Sequence, residues 1–181
     1  MEMRKNRKNF EILVENLLLG YELFHLNKNL HKGIKSAYYH KFKGVWGNVL
    51  VSMEVRYWLE LATIFDKESY IRHGRTYKNI SIHRFLDSRS FKQKFKGYIR
   101  IIEKVKKLRN KAIGHKDQET TRNFSKFLRK LGLKENDDLL LFEKTIDVLS
   151  EFSDNHGLIE NLKSRFEKSR LRIESEANLF T

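Results

Sequence analysis

The apolar positions of this chain fall mostly at steps of three and four, the spacing of one buried helical face. Phe10, Leu13, Leu17, Tyr21 and Phe24 mark a first helix over residues 9–27, slightly weakened by Gly20 inside it. Residues 27–44 are polar and punctuated by glycine, with Ile34, Tyr38 and Phe42 able to line a second short helix. The most apolar stretch covers residues 45–65. Trp46, Val49, Leu50, Met53, Tyr57, Leu61, Ile64 and Phe65 occupy one side, and Trp58, Leu59 and Ala62 widen it. A helix apolar over that much of its circumference is central in a bundle, or is covered on its outer side by a partner.

From residue 69 to 88 the pattern is irregular and aromatic, with one short helix at 82–86. Ser88 or Ser90 can cap the long helix that follows. Its inner side carries Phe91, Phe95, Tyr98, Ile99, Ile102, Val105, Leu108 and Ala112, and Gly114 should fray, end or turn it. A further helix over 121–131 stops at Gly132. Asn136 reads as the N-cap of a helix over 137–152, with Asp137 and Asp138 on its positive end, and residues 154–157 as a loop. A last, heavily charged helix over 158–176 shows Leu162, Phe166 and Ile173 as its apolar edge. Short connections between such helices predict an all-α fold, an antiparallel helical bundle of about five to seven helices. The expected organisation is a single domain over residues 1–181, with 158–181 as a charged C-terminal helix.

Composition agrees with this pattern. Across 181 residues there is no proline, which favours uninterrupted helices over a turn-rich β fold. Cysteine is absent too, so disulfides and thiolate metal sites are excluded. The charged N-terminus leads into no signal-peptide apolar run, and no stretch reaches the ~20 apolar residues of a membrane span. The expectation is a cytoplasmic protein that engages no membrane.

Charge changes the picture more. The net charge is +14, from 37 Lys and Arg against 23 Asp and Glu. The window 89–116 holds Arg89, Lys92, Lys94, Lys96, Arg100, Lys104, Lys106, Lys107, Arg109, Lys111 and Lys116 against the single acid Glu103. A solvated helix face is the plain reading of a lysine-rich helix. So lopsided a window favours a nucleic acid instead, with Lys104, Lys106, Lys107, Lys111 and Lys116 as candidate phosphate contacts.

At the end of that helix, Leu108-Arg109-Asn110-Lys111-Ala112-Ile113-Gly114-His115-Lys116-Asp117 brings together a guanidinium, an imidazole and a glycine. The guanidinium fork suits phosphate oxygens, and the imidazole titrates near neutrality. By residue type alone, His115 can equally be a cation capping a helix C-terminus, and Arg109 an ion-paired surface residue. Six residues apart on a continuous helix, the two would sit about 240° around the axis and about 9 Å along it. They would share a groove only if Gly114 turned the backbone or a second subunit supplied its own pair. The other histidines (His25, His31, His40, His73, His83 and His156) lack zinc-motif spacing, and there is no glycine-rich phosphate loop.

Arg109, Asn110 and His115 resemble the Arg-x(4 to 6)-His motif of the HEPN superfamily. The surrounding string, with Asp117 two places after the histidine, is similar to the abortive-infection (AbiU-type) branch, and Trp58-Leu59-Glu60-Leu61-Ala62-Thr63-Ile64-Phe65-Asp66 resembles that branch's preceding helix. Gly114 departs from it, standing where a small residue such as alanine is commoner. The resemblance implies a helical bundle that pairs as a homodimer, so that two motifs face one positive cleft. It also implies a metal-independent endoribonuclease of a phage-defence or toxin–antitoxin system, needing no cofactor. In that scheme Arg109, Asn110 and His115 are catalytic, Asp66 and Asp117 support them, and an antitoxin or defence-system protein is a further partner. The alternatives are a catalytically silent RNA-binding module of the same fold, and a helical adaptor or antitoxin whose basic face docks an acidic protein.

Overall fold

The structure is a computed structural model and describes residues 2–33, 43–67, 69–72, 75–114 and 124–178. Among these residues run seven α-helices: α1 Glu2–Gly33, α2 Lys43–Ile64, α3 Ser88–Lys94, α4 Ile99–Gly114, α5 Phe124–Lys130, α6 Asp137–His156 and α7 Leu162–Ala177. One 3-10 turn lies at Ile82–Arg84. A small antiparallel ribbon, β1 Ser69–Arg72 and β2 Arg75–Lys78, pairs Ser69 with Lys78 and Arg72 with Arg75. The ribbon lies where no regular element was expected, and four-residue strands are too short to establish a period. The molecule is otherwise the helical bundle that the periodicity predicts.

Helix α1 packs against α2 and α7. Its predicted face is buried throughout, with Phe10, Leu13, Val14 and Leu17 fully enclosed. The helix continues beyond residues 9–27 at both ends, because its flanks are good helix formers with no proline among them. Gly20 has a packing reason. A Cβ there would sit 3.1 Å from Glu60 Cβ and 3.4 Å from the Phe142 ring, so the glycine lets α1, α2 and α6 approach closely.

The two halves of α2 differ in burial. Towards its C-terminus Tyr57, Trp58, Leu61, Ala62 and Ile64 are buried, and Tyr57 packs edge-on against Phe24 with ring centroids 5.5 Å apart. Towards its N-terminus Val45 and Val49 are exposed, Val45 to 63%.

Several expectations need correction, among them the start of the last helix, which is Leu162 and not residue 158. The long basic helix is broken: α3 and α4 are separated by a turn at 95–98, closed by the Tyr98 N–H donating to the Phe95 carbonyl at 2.8 Å. Phe95 stays buried through the turn, so the apolar row keeps its grip on the core across the break. The cap of α3 is Asp87, not Ser88 or Ser90; its carboxylate accepts from the Arg89 and Ser90 amides at 2.8 and 2.9 Å. Asn136 does stand at the N-cap of α6, but in the left-handed region (φ 69°) and without a side-chain cap bond. Asp137 ties that corner instead, accepting from the Lys134 amide at 2.9 Å.

Helix α5 ends as predicted at Gly132. Its φ of 71° lets the Gly132 and Leu133 amides reach back to the Arg129 and Leu128 carbonyls. Helix α6 runs through the expected loop to His156 before Gly157 ends it. The face carried by Ile34, Tyr38 and Phe42 lies outside the described residues. Among the described residues no helix is long and apolar enough to cross a membrane.

Candidate active site

The end of α2 and the last turns of α4 meet at one ion pair. Phe65 closes α2, its ring against Phe91 and Phe95 at centroid distances of 6.4 and 5.6 Å. The Phe65 and Asp66 amides still donate to the Ala62 and Thr63 carbonyls at 3.1 and 3.2 Å. Asp66 is thereby fixed at the helix end with only 6% of its surface exposed.

Helix α4 turns Ile102, Val105 and Leu108 into the core. Arg109, one residue beyond Leu108, lies at the margin of that row, half-buried. Its Nη1 donates to Asp66 Oδ2, while Nε and Nη2 donate to Asn110 Oδ1 at 3.3 and 3.0 Å. A guanidinium has five N–H groups. Among the described residues three of them have acceptors, so one on each terminal nitrogen is left for a ligand. Burial pulls the Arg109 pKa below its ordinary value, yet an arginine remains charged in a protein. The outcome is a cation braced from two sides with part of its planar fork unspent.

The candidate lysines separate. Lys104 donates its ammonium to the Gly132 carbonyl, so its charge sits at the C-terminal end of α5. Lys107 is exposed, and Lys106 is half-buried. Lys111 belongs to α4. His115, Lys116 and Asp117 lie outside the described residues.

Sequence reasoning passed over His83. Carried on the 3-10 turn, its ring lies tilted against Phe91 with centroids 4.4 Å apart. Burial lowers its pKa, the Lys106 charge lowers it further, and a hydrogen bond to the Phe65 backbone works the other way. That places the His83 imidazole beside the residue preceding Asp66. Nothing in the spacing of His83 signals this, because the turn that carries it is only three residues long. Glu60, by contrast, is ion-paired with Arg56 on its own helix. Among the described residues no group of three or more His, Asp or Glu side chains is placed to hold a metal.

Compared with known families, residues 45–158 match the family model HEPN_AbiU2, described as AbiU2. The matched span includes most of α2, the Asp66–Arg109 pair, and all of α4 and α6. No curated protein and no solved structure matches the chain.

Proposed function

Since the chain belongs to the HEPN AbiU2 family, an abortive-infection type of helical module, we propose that it is a metal-independent endoribonuclease of a phage-defence or toxin–antitoxin system. The observation that supports this best is the braced Arg109 at the end of a basic helix, with two of its N–H groups lacking an acceptor among the described residues. In the proposed reaction the ribose 2′-hydroxyl attacks the adjacent phosphorus and the P–O5′ bond breaks. His115 takes the 2′ proton, and an acid returns a proton to the leaving 5′ oxygen. Arg109 offsets the negative charge that builds on the phosphoryl oxygens. Asn110, already an acceptor for Arg109, fixes the plane of the fork. Total RNA incubated with the purified protein in EDTA should therefore be cut to products with 2′,3′-cyclic phosphate ends. DNA should survive, for want of the 2′-hydroxyl.

That acid is expected from a second copy of the chain, whose own His115 would face the same cleft. The exposed Val45 and Val49 offer an apolar strip that a second copy can cover. Light scattering at micromolar concentration should give twice the chain mass of 21.8 kDa. A strictly monomeric mass counts against the shared site.

RNA affinity should fall steeply with salt, each lost phosphate contact flattening the log–log slope by about 0.7 for single strands. Replacing Lys106 and Lys107 should flatten it in this way. Replacing Lys104 should also loosen the Gly132 end of α5, which its ammonium holds. An affinity indifferent to salt would favour the adaptor reading, with an acidic protein as the partner.

A further inference from the structure

Charges of both signs meet in a cavity of about 510 Å³ between α1, α2 and the connection from α5 to α6, where Glu54, Tyr57 and Asp138 line the wall with Lys28 and Lys134. The ribbon that follows Asp66 is different. Its strands read Ser-Tyr-Ile-Arg and Arg-Thr-Tyr-Lys, with three cations and no acid. The register sets Tyr70 opposite Tyr77 and Arg72 opposite Arg75. Directly opposed residues of an antiparallel pair lie on the same side, as do residues two apart on one strand. Positions 70, 72, 75 and 77 therefore share one face, which carries two tyrosines and two arginines, while Ser69, Ile71, Thr76 and Lys78 share the other.

We infer that this face binds single-stranded RNA beside the Arg109 site, with Tyr70 and Tyr77 stacking on bases and Arg72 and Arg75 meeting the phosphates between them. The inference rests on RNA being the ligand of the protein, and it names the form of RNA that the protein takes.

The ribbon stands where such a face can serve the Arg109 site. Tyr70 follows Asp66 by four residues, at most about 14 Å of extended chain. Both ends of the ribbon are tied to the same helix end. Asn79, next to the last paired residue, donates its side-chain amide to the Lys67 carbonyl at 3.0 Å. Four residues further on, the His83 imidazole bonds the Phe65 backbone. The two tethers bracket Asp66, the carboxylate that holds Arg109. A two-stranded ribbon is marginal on its own in water, so such tethers fix where it stands.

The residue types on the face point to the ligand. Tyrosine opposite tyrosine is a favourable cross-strand pair and would serve a purely structural ribbon. Arginine opposite arginine is not. Like charges directly opposite destabilise the pair, and no acid in either strand offsets them. Phosphate supplies the missing charge, and guanidinium forks suit its oxygens. The tyrosines then separate nucleic acid from other anions, because every base has a face that can stack on an aromatic ring. Bases already paired in a duplex are not free to do so, hence the single strand. An acidic protein would satisfy the arginines alone.

The test is fluorescence anisotropy of the full chain with short 2′-O-methyl RNA, which cannot be cut, as a single strand, as a duplex and as an abasic strand of equal length. The single strand should bind more tightly than the other two. Tyr70→Leu with Tyr77→Leu should erase that preference and weaken the single strand by about fivefold to a hundredfold per stacked base. Tyr70→Phe with Tyr77→Phe keeps the stacking and should bind as the wild type does. Arg72→Gln with Arg75→Gln should flatten the log–log salt slope by about 1.4, two contacts at about 0.7 each. That variant should melt no lower than the wild type, because the opposed charges are gone. On cuttable RNA the leucine variant should raise KM and leave kcat nearly unchanged, since the rings act away from the scissile phosphate. The comparison of base-bearing with abasic strands needs no substitution, so a leucine variant that unravels the ribbon leaves the test intact. An abasic strand or a duplex bound as tightly as the single strand overturns the inference. So does a leucine variant that binds like its parent, an unchanged salt slope in the glutamine variant, or polyglutamate bound as tightly as RNA. Binding through the rings without cleavage would sink the ribonuclease reading alone. Cleavage indifferent to the rings would sink the ribbon site alone.

Discussion

Replacing His115 with alanine is expected to reduce RNA cleavage by about 10²–10⁴-fold, the usual cost of losing a positioned general acid–base group. The same substitution should leave RNA affinity nearly unchanged. In the proposed reading the binding charge is carried by lysines such as Lys107, which is exposed on α4. Fold and salt dependence should also survive, which separates loss of chemistry from loss of binding. A chelator should change neither variant. If the His115→Ala protein cuts as fast as its parent, the imidazole is not the proton carrier. If the wild type binds RNA with a steep salt dependence and leaves it whole, the silent RNA-binding module is the right reading. In a dimer with a shared site, mixing His115→Ala with Arg109→Ala chains should restore part of the activity only if the two residues act from different subunits.

What could be read in advance follows the range of the interactions. Helices came through periodicity because a face repeats within each turn, so Phe10 to Phe24 announced α1 and Ile102 to Leu108 announced the inner side of α4. The break at 95–98 did not show, because the apolar row of Phe91, Phe95, Tyr98 and Ile102 keeps step across the turn while the hydrogen-bond ladder lapses. The cap was misread, as Ser88 or Ser90 instead of Asp87, for a similar reason. Asp87, Ser88 and Ser90 are all good cap residues, and only the backbone decides which of them stands just outside the helix.

The sites divide along the same line. Arg109 and Asn110 are neighbours in sequence, so the motif names them together. Asp66 could be singled out only through resemblance, because its partner lies 43 residues away. The Tyr57–Asp138 bond spans 81 residues, and neither partner carries a local signal that it lines a cavity. Asp138 was legible as a helix-end acid, and that is part of its role. That its carboxylate also raises the pKa of Glu54 depends on how α2 and α6 pack.

The Asp66–Arg109 pair also decides how the arginine must be tested. Asp66 has a side chain only 9% exposed, and among the described residues it accepts from Arg109. Arg109→Ala should therefore do two things at once. It should remove the cation from the phosphate, costing at least about 10²-fold in cleavage. It should also strand a buried carboxylate, which costs about 3–5 kcal/mol when the pair is fully enclosed. The guanidinium side is 27% exposed, so water relieves part of this, and a loss near the lower end of that range is expected in denaturant unfolding. An inactive Arg109→Ala protein would then be uninformative by itself, since a loosened α2–α4 junction could silence the site without any role in chemistry. The double variant Arg109→Ala with Asp66→Asn resolves this. Neutralising Asp66 removes the stranded charge, so the double variant should recover most of the stability that the single variant loses. Cleavage should stay lost, because the fork that offsets charge on the phosphoryl oxygens is still missing. Asp66→Asn alone should keep the arginine, lower the stability modestly and leave measurable activity, since an amide oxygen can still accept from Nη1. Recovery of cleavage in the double variant would mean that Arg109 acts only by neutralising Asp66, and Arg109→Ala unfolding at the same denaturant concentration as the wild type would mean that the pair does not hold the junction.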